Sequence, residues 1–229
     1  MITKALAALE RLANPAKAVE AAAYHKAARR YLGVSVPQIE GLVAEWRAEV
    51  SLDARIALAH GLWASDIHEA RVAAAKLLTQ ARLKPSDEAA WSLICTWVPM
   101  FDAWAIADHA CKAAEKRIIA DPSRLNDVES WTVSPNMWMR RAALVATLPF
   151  AKLNHPKPHE VEARERILDW AAVCTQDRDW FIQKAVAWWV RDLSKHNAPR
   201  ASQFLAEHGH LMKNFARKEA AKYLGNEAQ

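Results

Sequence analysis

Helical periodicity runs through this chain from end to end, and no stretch shows the strict two-residue alternation of a strand. Glycine, which tight β-turns need, occurs five times in 229 residues, at Gly33, Gly41, Gly61, Gly209 and Gly225. A turn-rich β fold is excluded on those grounds. The usual nucleotide-cofactor enzymes are excluded as well, because the chain has neither a Gly-x-Gly-x-x-Gly turn nor a Walker-type phosphate loop. What remains is an all-α protein.

The helix starts are marked by residues with a mechanical reason to be there. Asn14-Pro15 offers an N-cap and a proline at the first helical position, and Ser134-Pro135 repeats the device. Ser35-Val36-Pro37-Gln38 has the spacing of a capping box. Pro85-Ser86-Asp87-Glu88 puts acidic side chains at the positive end of another helix. Leu32-Gly33 reads as the end of a long N-terminal helix. Together with breaks near 64–67, 121–126, 154–159, 175–178 and 196–199, these signals predict about twelve short helices. No break is long enough for a linker, so residues 1–229 read as a single domain.

Those helices repeat weakly. The string Arg71-Val72-Ala73-Ala74-Ala75-Lys76-Leu77-Leu78 resembles Arg141-Ala142-Ala143-Leu144-Val145-Ala146-Thr147-Leu148, and shorter echoes begin at Lys184 and Lys218. Intervals of 43 and 34 residues separate the last three, near the length of a helix pair. Stacked pairs give a solenoid, and a basic group recurring on each second helix predicts a basic stripe along one face.

Charge and cysteine content narrow the partners. Lys and Arg total 31 against 26 Asp and Glu, a net charge of +5, which suits a polyanion if the basic groups cluster. Cys95, Cys111 and Cys174 are odd in number and lack Cys-x-x-Cys spacing, as free thiols in a reducing compartment would. No apolar run approaches the roughly 18 residues of a membrane span. The N-terminus lacks the apolar core of a signal peptide, so an intracellular protein is expected. His208-Gly209-His210 has no partner set of Cys or His at metal-ligand spacing, and no nucleophile-elbow serine occurs.

The chemistry-bearing residues lie in three distant stretches. Trp104 and Asp108 are four apart, hence stacked on one helix face. Trp138-Met139-Arg140-Arg141 and Lys184-Ala185-Val186-Ala187-Trp188 again place tryptophan near a cation. Taken singly, each residue has an ordinary structural use. Trp104 and Trp188 could be core, Asp108 could pair with Lys112, and Arg141 could close a helix interface. Trp189, turned away from Trp188, is assigned to the core.

In order along the chain, these motifs resemble the DNA alkylation-repair glycosylases with HEAT-like repeats, the AlkD family. The resemblance rests on Tyr24-His25-Lys26 through Gly33-Val34-Ser35-Val36-Pro37, on Trp104-x-x-x-Asp108, on Trp138 to Ala143, and on Phe181 to Asp192. It covers residues about 20–225. Two positions depart from it. Gln38-Ile39-Glu40 follows Pro37, where the family often has a basic residue, and His25 replaces the more usual apolar residue after the tyrosine.

The resemblance implies a right-handed solenoid of about six antiparallel HEAT-like helix pairs with a concave DNA-binding face. It implies a monofunctional glycosylase that hydrolyses the N-glycosidic bond of positively charged N3- or N7-alkylpurines in double-stranded DNA. Asp108 becomes the catalytic carboxylate. Trp104 and Trp188 flank the lesion nucleotide, and Arg141 holds a neighbouring phosphate. Lys26, Arg140, Lys184, Arg191 and Lys218 become DNA contacts, and Arg29, Arg30, Lys195, Lys213 and Arg217 are further candidates. A lyase role for Lys184 is set aside in favour of phosphate binding. The expected protein is a cytoplasmic, nucleoid-associated monomer without metal or organic cofactor. No motif specifies a deep base pocket, so a shallow groove is expected to suffice for so good a leaving group. The alternatives are a non-catalytic repeat protein that binds damaged or branched DNA, and a protein-interaction scaffold.

Overall fold

A computed structural model describes residues 1–225 of the chain. Among these residues there are fourteen α-helices and three short 3-10 helices, and no strand. Their β pairing is confined to an isolated parallel bridge between Arg30 and Ile67. No described helix is long and apolar enough to cross a membrane. Within the span read as one domain, the chain packs as two compact units, Met1–Ala120 and Asp121–Gln229.

The first unit holds α1 (Ile2–Arg11), α2 (Pro15–His25), α3 (Val36–Glu49), α4 (Leu52–Ala64), α5 (His68–Leu77), α6 (Glu88–Trp97) and α7 (Trp104–Ala120). Its centre is α5, which packs against α3, α4 and α7. Ala70, Ala73, Ala74 and Ala75 are fully buried there, and their small side chains let neighbouring backbones approach closely. Trp63 and Trp97 fill the remaining volume as parallel rings 4.4 Å apart.

The expected long N-terminal helix is corrected by the structure. It stops at His25, where Lys26 takes a left-handed backbone with φ 58°. Residues 27–35 then run as irregular chain, and a buried carboxylate holds them. Glu69, near the start of α5, accepts the Leu32 N–H at 2.9 Å and the Gly33 N–H at 2.7 Å. The His68 N–H donates to the Arg30 carbonyl at 3.0 Å. Backbone groups that a helix would have paired internally are satisfied by a side chain 36 residues away.

The second unit holds α8 (Leu125–Thr132), α9 (Met137–Val145), α10 (Leu148–Ala151), α11 (Pro158–Cys174), α12 (Trp180–Ser194), α13 (Ala198–His208) and α14 (Asn214–Ala220). Here α12 is central and packs against α9, α10, α11, α13 and α14. Trp189 is fully buried on it, as expected.

Most cap signals act as read. The Asn14 Oδ1 accepts the Lys17 N–H at 3.1 Å, and the Ser35 N–H donates to the Gln38 Oε1 at 3.0 Å. The signal at Ser134-Pro135 is displaced. Asn136 is the cap of α9, and its Oδ1 accepts the Trp138 N–H at 2.9 Å.

Buried arginines tie successive helices together. Arg71 donates to the Trp63 carbonyl at 3.3 Å, at the end of α4, and pairs with Asp66 at 3.0 Å. Arg164 donates to the Phe150 and Leu153 carbonyls at 3.0 and 2.7 Å, at the end of α10. Arg117 donates to the Gln80 and Ala81 carbonyls beyond α5. Helix C-termini leave carbonyls without internal donors, and a guanidinium with its several N–H groups satisfies them in one step. The repeated basic residue that predicted a surface stripe is, at Arg71 and Arg141, a buried fastener.

Candidate active site

Trp104 opens α7, and Asp108 follows one turn later on the same face. The start of this helix is anchored from below. Arg29, whose side chain is 1% exposed, donates to the Asp102 carboxylate and lies 3.6 Å from that of Asp66. Asp66 in turn pairs with Arg71. The candidate DNA contact at Arg29 is therefore corrected: its guanidinium is enclosed by carboxylates. Arg30 stays at the surface and pairs with Glu10 at 2.8 Å.

Around Trp104 lies a set of rings. Tyr24, 68% exposed, meets it edge-on at 5.8 Å, and His25 lies 5.4 Å from it. His25 stacks on His68 at 4.6 Å, and His68 on Tyr31 at 4.9 Å. The Glu69-held chain brings Tyr31 to this stack, and the early end of α2 brings His25. Burial lowers His25 below its ordinary value, with the Glu69 charge opposing. Burial also lowers His68 to about 3 and His109 to about 4, so both imidazoles are neutral at pH 7.

These rings border a cavity of about 370 Å³ within the first unit. Trp104, Asp108, His25, His68 and His109 are among its polar and aromatic lining. Val34, Val36, Ile39 and Val72 contribute aliphatic lining. Lys112, one turn beyond Asp108, lies at the edge and pairs with Glu115 at 3.1 Å. Sequence reasoning brought Trp104 and Asp108 together, but it missed His68, His109, Glu69 and Tyr31. The one local signal was His25, an imidazole where the resembling family has an apolar residue.

The remaining candidates, apart from Lys26 in the first unit, lie in the second unit. Arg141, 5% exposed, donates from Nη1 to the Phe181 carbonyl at 3.2 Å, tying α9 to α12. Arg140 binds Asp177 through Nε and Nη2 at 3.1 and 2.9 Å, and also donates to the Ser134 carbonyl at 2.9 Å. Trp188 is half-buried on α12. Lys184 and Arg191, on the same helix, converge on Glu219 at 3.7 and 2.6 Å. Lys218 and Lys26 are exposed. An aromatic row absent from the sequence reading runs beside Lys184. Trp180 stacks on Phe215 at 5.8 Å and meets Phe181 edge-on at 5.0 Å, with the Lys184 ammonium 5.1 Å above its ring.

Residues 5–224 match the family model described as DNA alkylation repair enzyme. The chain belongs to that family. Its fold is similar to a solved structure titled a predicted DNA alkylation repair enzyme from Enterococcus faecalis, with a TM-score of 0.76 at 20% identity over 93% of this chain and 97% of that one. It is also similar to AlkD2 from Streptococcus mutans, with a TM-score of 0.62 at 20% identity over 83% of this chain and 91% of that one. A third similar structure is smu.31 from Streptococcus mutans UA159, with a TM-score of 0.61 at 18% identity over 83% and 92% of the two chains. At these identities the likeness speaks for the fold alone, an all-α fold of the HEAT-like helical-repeat kind. No curated protein matches the chain. Membership in the DNA alkylation repair family gives the site its frame. A carboxylate beside an indole, in a partly enclosed space, can attract and stabilise positive charge developing on a sugar.

Proposed function

We propose that this chain is a monofunctional DNA glycosylase that hydrolyses the N-glycosidic bond of positively charged N3- or N7-alkylpurines in double-stranded DNA. The observation that carries the reading is that Asp108 and Trp104, one turn apart on α7, line the same cavity in a chain of the DNA alkylation repair family. Alkylation places positive charge on the purine, so the C1′–N bond is weak before the enzyme acts. As it breaks, the electron pair moves to the purine and cancels that charge, while positive charge builds on the deoxyribose. The Asp108 carboxylate stabilises this oxocarbenium-like state and orients a water molecule. The water oxygen bonds to C1′, and its proton passes to Asp108 and on to solvent.

Trp104 and Trp188 supply apolar and cation–π contact to the lesion nucleotide. Lys184, Arg191, Lys218, Lys26 and Arg140 contribute contacts to the DNA backbone, which depend on salt rather than sequence. Arg141, which ties α9 to α12 through the Phe181 carbonyl, is assigned to a phosphate beside the lesion. No step requires a metal or organic cofactor, and the reading takes the protein as a monomer acting on duplex DNA.

The test is release of base from duplexes that carry N7-methylguanine or N3-methyladenine, comparing wild type with Asp108→Asn. Release by wild type, cut tenfold or more in the variant (about 1.4 kcal/mol of barrier), is the expected result. Salt-sensitive DNA binding without release by wild type would instead mark a non-catalytic DNA-binding protein.

A further inference from the structure

The first unit holds a second cavity, of about 330 Å³, within the roughly 300–1,000 Å³ of small-molecule sites. Leu52, Arg55, Gln80, Arg82, Leu83 and Lys84 line it. It lies at the other end of α5 from the candidate active site. His68, which opens α5, lines the cavity beside Asp108, whereas Gln80 follows shortly after Leu77, which closes the helix. The ten residues of α5 span about 15 Å.

The lining carries three cations and no carboxylate. Among the described residues, Arg55, Arg82 and Lys84 make no ion pair. In the same unit Arg29, Arg30, Arg71 and Arg117 each have a carboxylate partner. Arg55 donates only to neutral acceptors, the Gln80 side chain and the Arg47 carbonyl at 3.4 Å. Its Nε is enclosed and has no hydrogen-bond partner. Burial, and after it the Arg47 charge, lower the Arg55 pKa below the ordinary guanidinium value. An arginine keeps its charge nonetheless, so Arg55 is a half-buried cation with no anion to offset it.

The segment that carries the other two cations is held in place. Arg117, fully buried, donates to the Gln80 and Ala81 carbonyls and pairs with Asp87 at 3.3 Å. It thereby engages the single carboxylate of residues 80–87. Leu83 is buried, and anchors the chain between the exposed Arg82 and Lys84. Leu52 is the first residue of α4, whose N-terminal end adds positive partial charge. Asp53, in the same turn, is exposed and is not part of the lining.

No aromatic ring lines the cavity, so a base finds no stacking face there. What the lining can recognise is an anion that concentrates several charges in a small volume. Guanidinium forks match phosphoryl oxygens in pairs, and a lysine adds a point charge. We propose that this cavity is an anion site for a small oligophosphate, pyrophosphate itself or the phosphate tail of a nucleotide, held by Arg55, Arg82 and Lys84. The site is independent of the glycosylase reading, since none of its residues is assigned to the chemistry at Asp108 or to DNA.

The experiment titrates the full-length protein with pyrophosphate by calorimetry, in magnesium-free buffer with sodium chloride holding the ionic strength constant. The double variant Arg82→Gln, Lys84→Gln is compared with wild type, because both side chains are exposed and their loss leaves the core intact. Its melting transition without ligand is checked against wild type. Saturable binding of one pyrophosphate per chain, weakened at least tenfold in the variant, is expected, together with a ligand-induced rise in Tm that the variant loses. Arg55→Gln, tested in the same way, should weaken binding too. Absence of saturable binding by wild type overturns the proposal, as does equal affinity in the double variant. Duplex binding measured alongside separates the other source of phosphate. If the variant loses affinity for duplex while wild type takes up no pyrophosphate, the segment serves the DNA backbone and the oligophosphate site falls.

Discussion

Arg29 and Asp102 form an ion pair directly beneath the start of α7, two residues before Trp104. The guanidinium is almost wholly enclosed, whereas the Asp102 side chain is half-exposed. Truncating the carboxylate therefore leaves a buried cation with only Asp66 beside it. Asp102→Ala is expected to lower stability by about 1–3 kcal/mol, in the range of a buried charged group losing a partner. Because the pair positions α7, base release should slow through kcat more than through KM. Urea unfolding and steady-state kinetics on one preparation check both. An unchanged kcat would show that α7 is held by packing alone.

The buried histidines make stability depend on pH. In the unfolded chain both titrate near 6.5, whereas burial holds His109 at about 4 and His68 at about 3 in the fold. Below pH 6.5 the unfolded chain binds more protons than the native one, so stability falls as pH falls. The stabilising contribution is full above pH 6.5. It is lost from both residues between 6.5 and about 4, and from His68 alone down to about 3. Each histidine contributes a slope of up to about 1.4 kcal/mol per pH unit. Urea midpoints from pH 7.5 to 4.5 should show this decline, and His109→Leu should flatten it. An identical slope in the variant would remove His109 from the account.

Gly33 has φ 74°, and a Cβ there would lie 2.6 Å from the Ala18 backbone nitrogen. Its N–H is also held by Glu69. Gly33→Ala should destabilise by more than about 1 kcal/mol, since both the backbone region and the space oppose a side chain. Glu69→Ala should cost about 2–4 kcal/mol by leaving two buried N–H groups unsatisfied. Both variants should also release Tyr31 from the imidazole stack. The His68 ring resonances report that directly, and their failure to shift would sever Glu69 from the site.

Glu219 lies within ion-pair distance of both Lys184 and Arg191 on α12. Removing its charge releases Lys184 and leaves Arg191 its looser pairing with Asp192 at 3.7 Å, so both cations become more available to phosphate. Glu219→Gln should tighten duplex binding at low salt and steepen the plot of log affinity against log salt by up to about 2, at roughly 0.9 per added phosphate contact. Fluorescence anisotropy between 50 and 200 mM salt, the range over which such slopes are read, measures this. No change in slope would place the duplex elsewhere on the second unit.

What could be read from the chain alone was what local geometry governs. Periodicity and scarce glycine make an all-α protein, and caps at Asn14, Ser35 and Asp87 start helices where they should. The four-residue spacing put Trp104 and Asp108 on one face before any packing was known, and motif order pointed to the DNA alkylation repair family. These features depend on neighbours within a turn or two. The tertiary structure decided where groups distant in sequence find partners. Arg71 and Arg141 look like surface cations in a repeat, yet each satisfies carbonyls of another helix and is buried. The helix read through to Leu32 ends at His25, because Glu69 offers the later N–H groups an acceptor. The cavity beside Asp108 arises only when α2, α3, α5 and α7 meet, since burial and hydrogen-bond satisfaction belong to the packed chain and no local pattern records them.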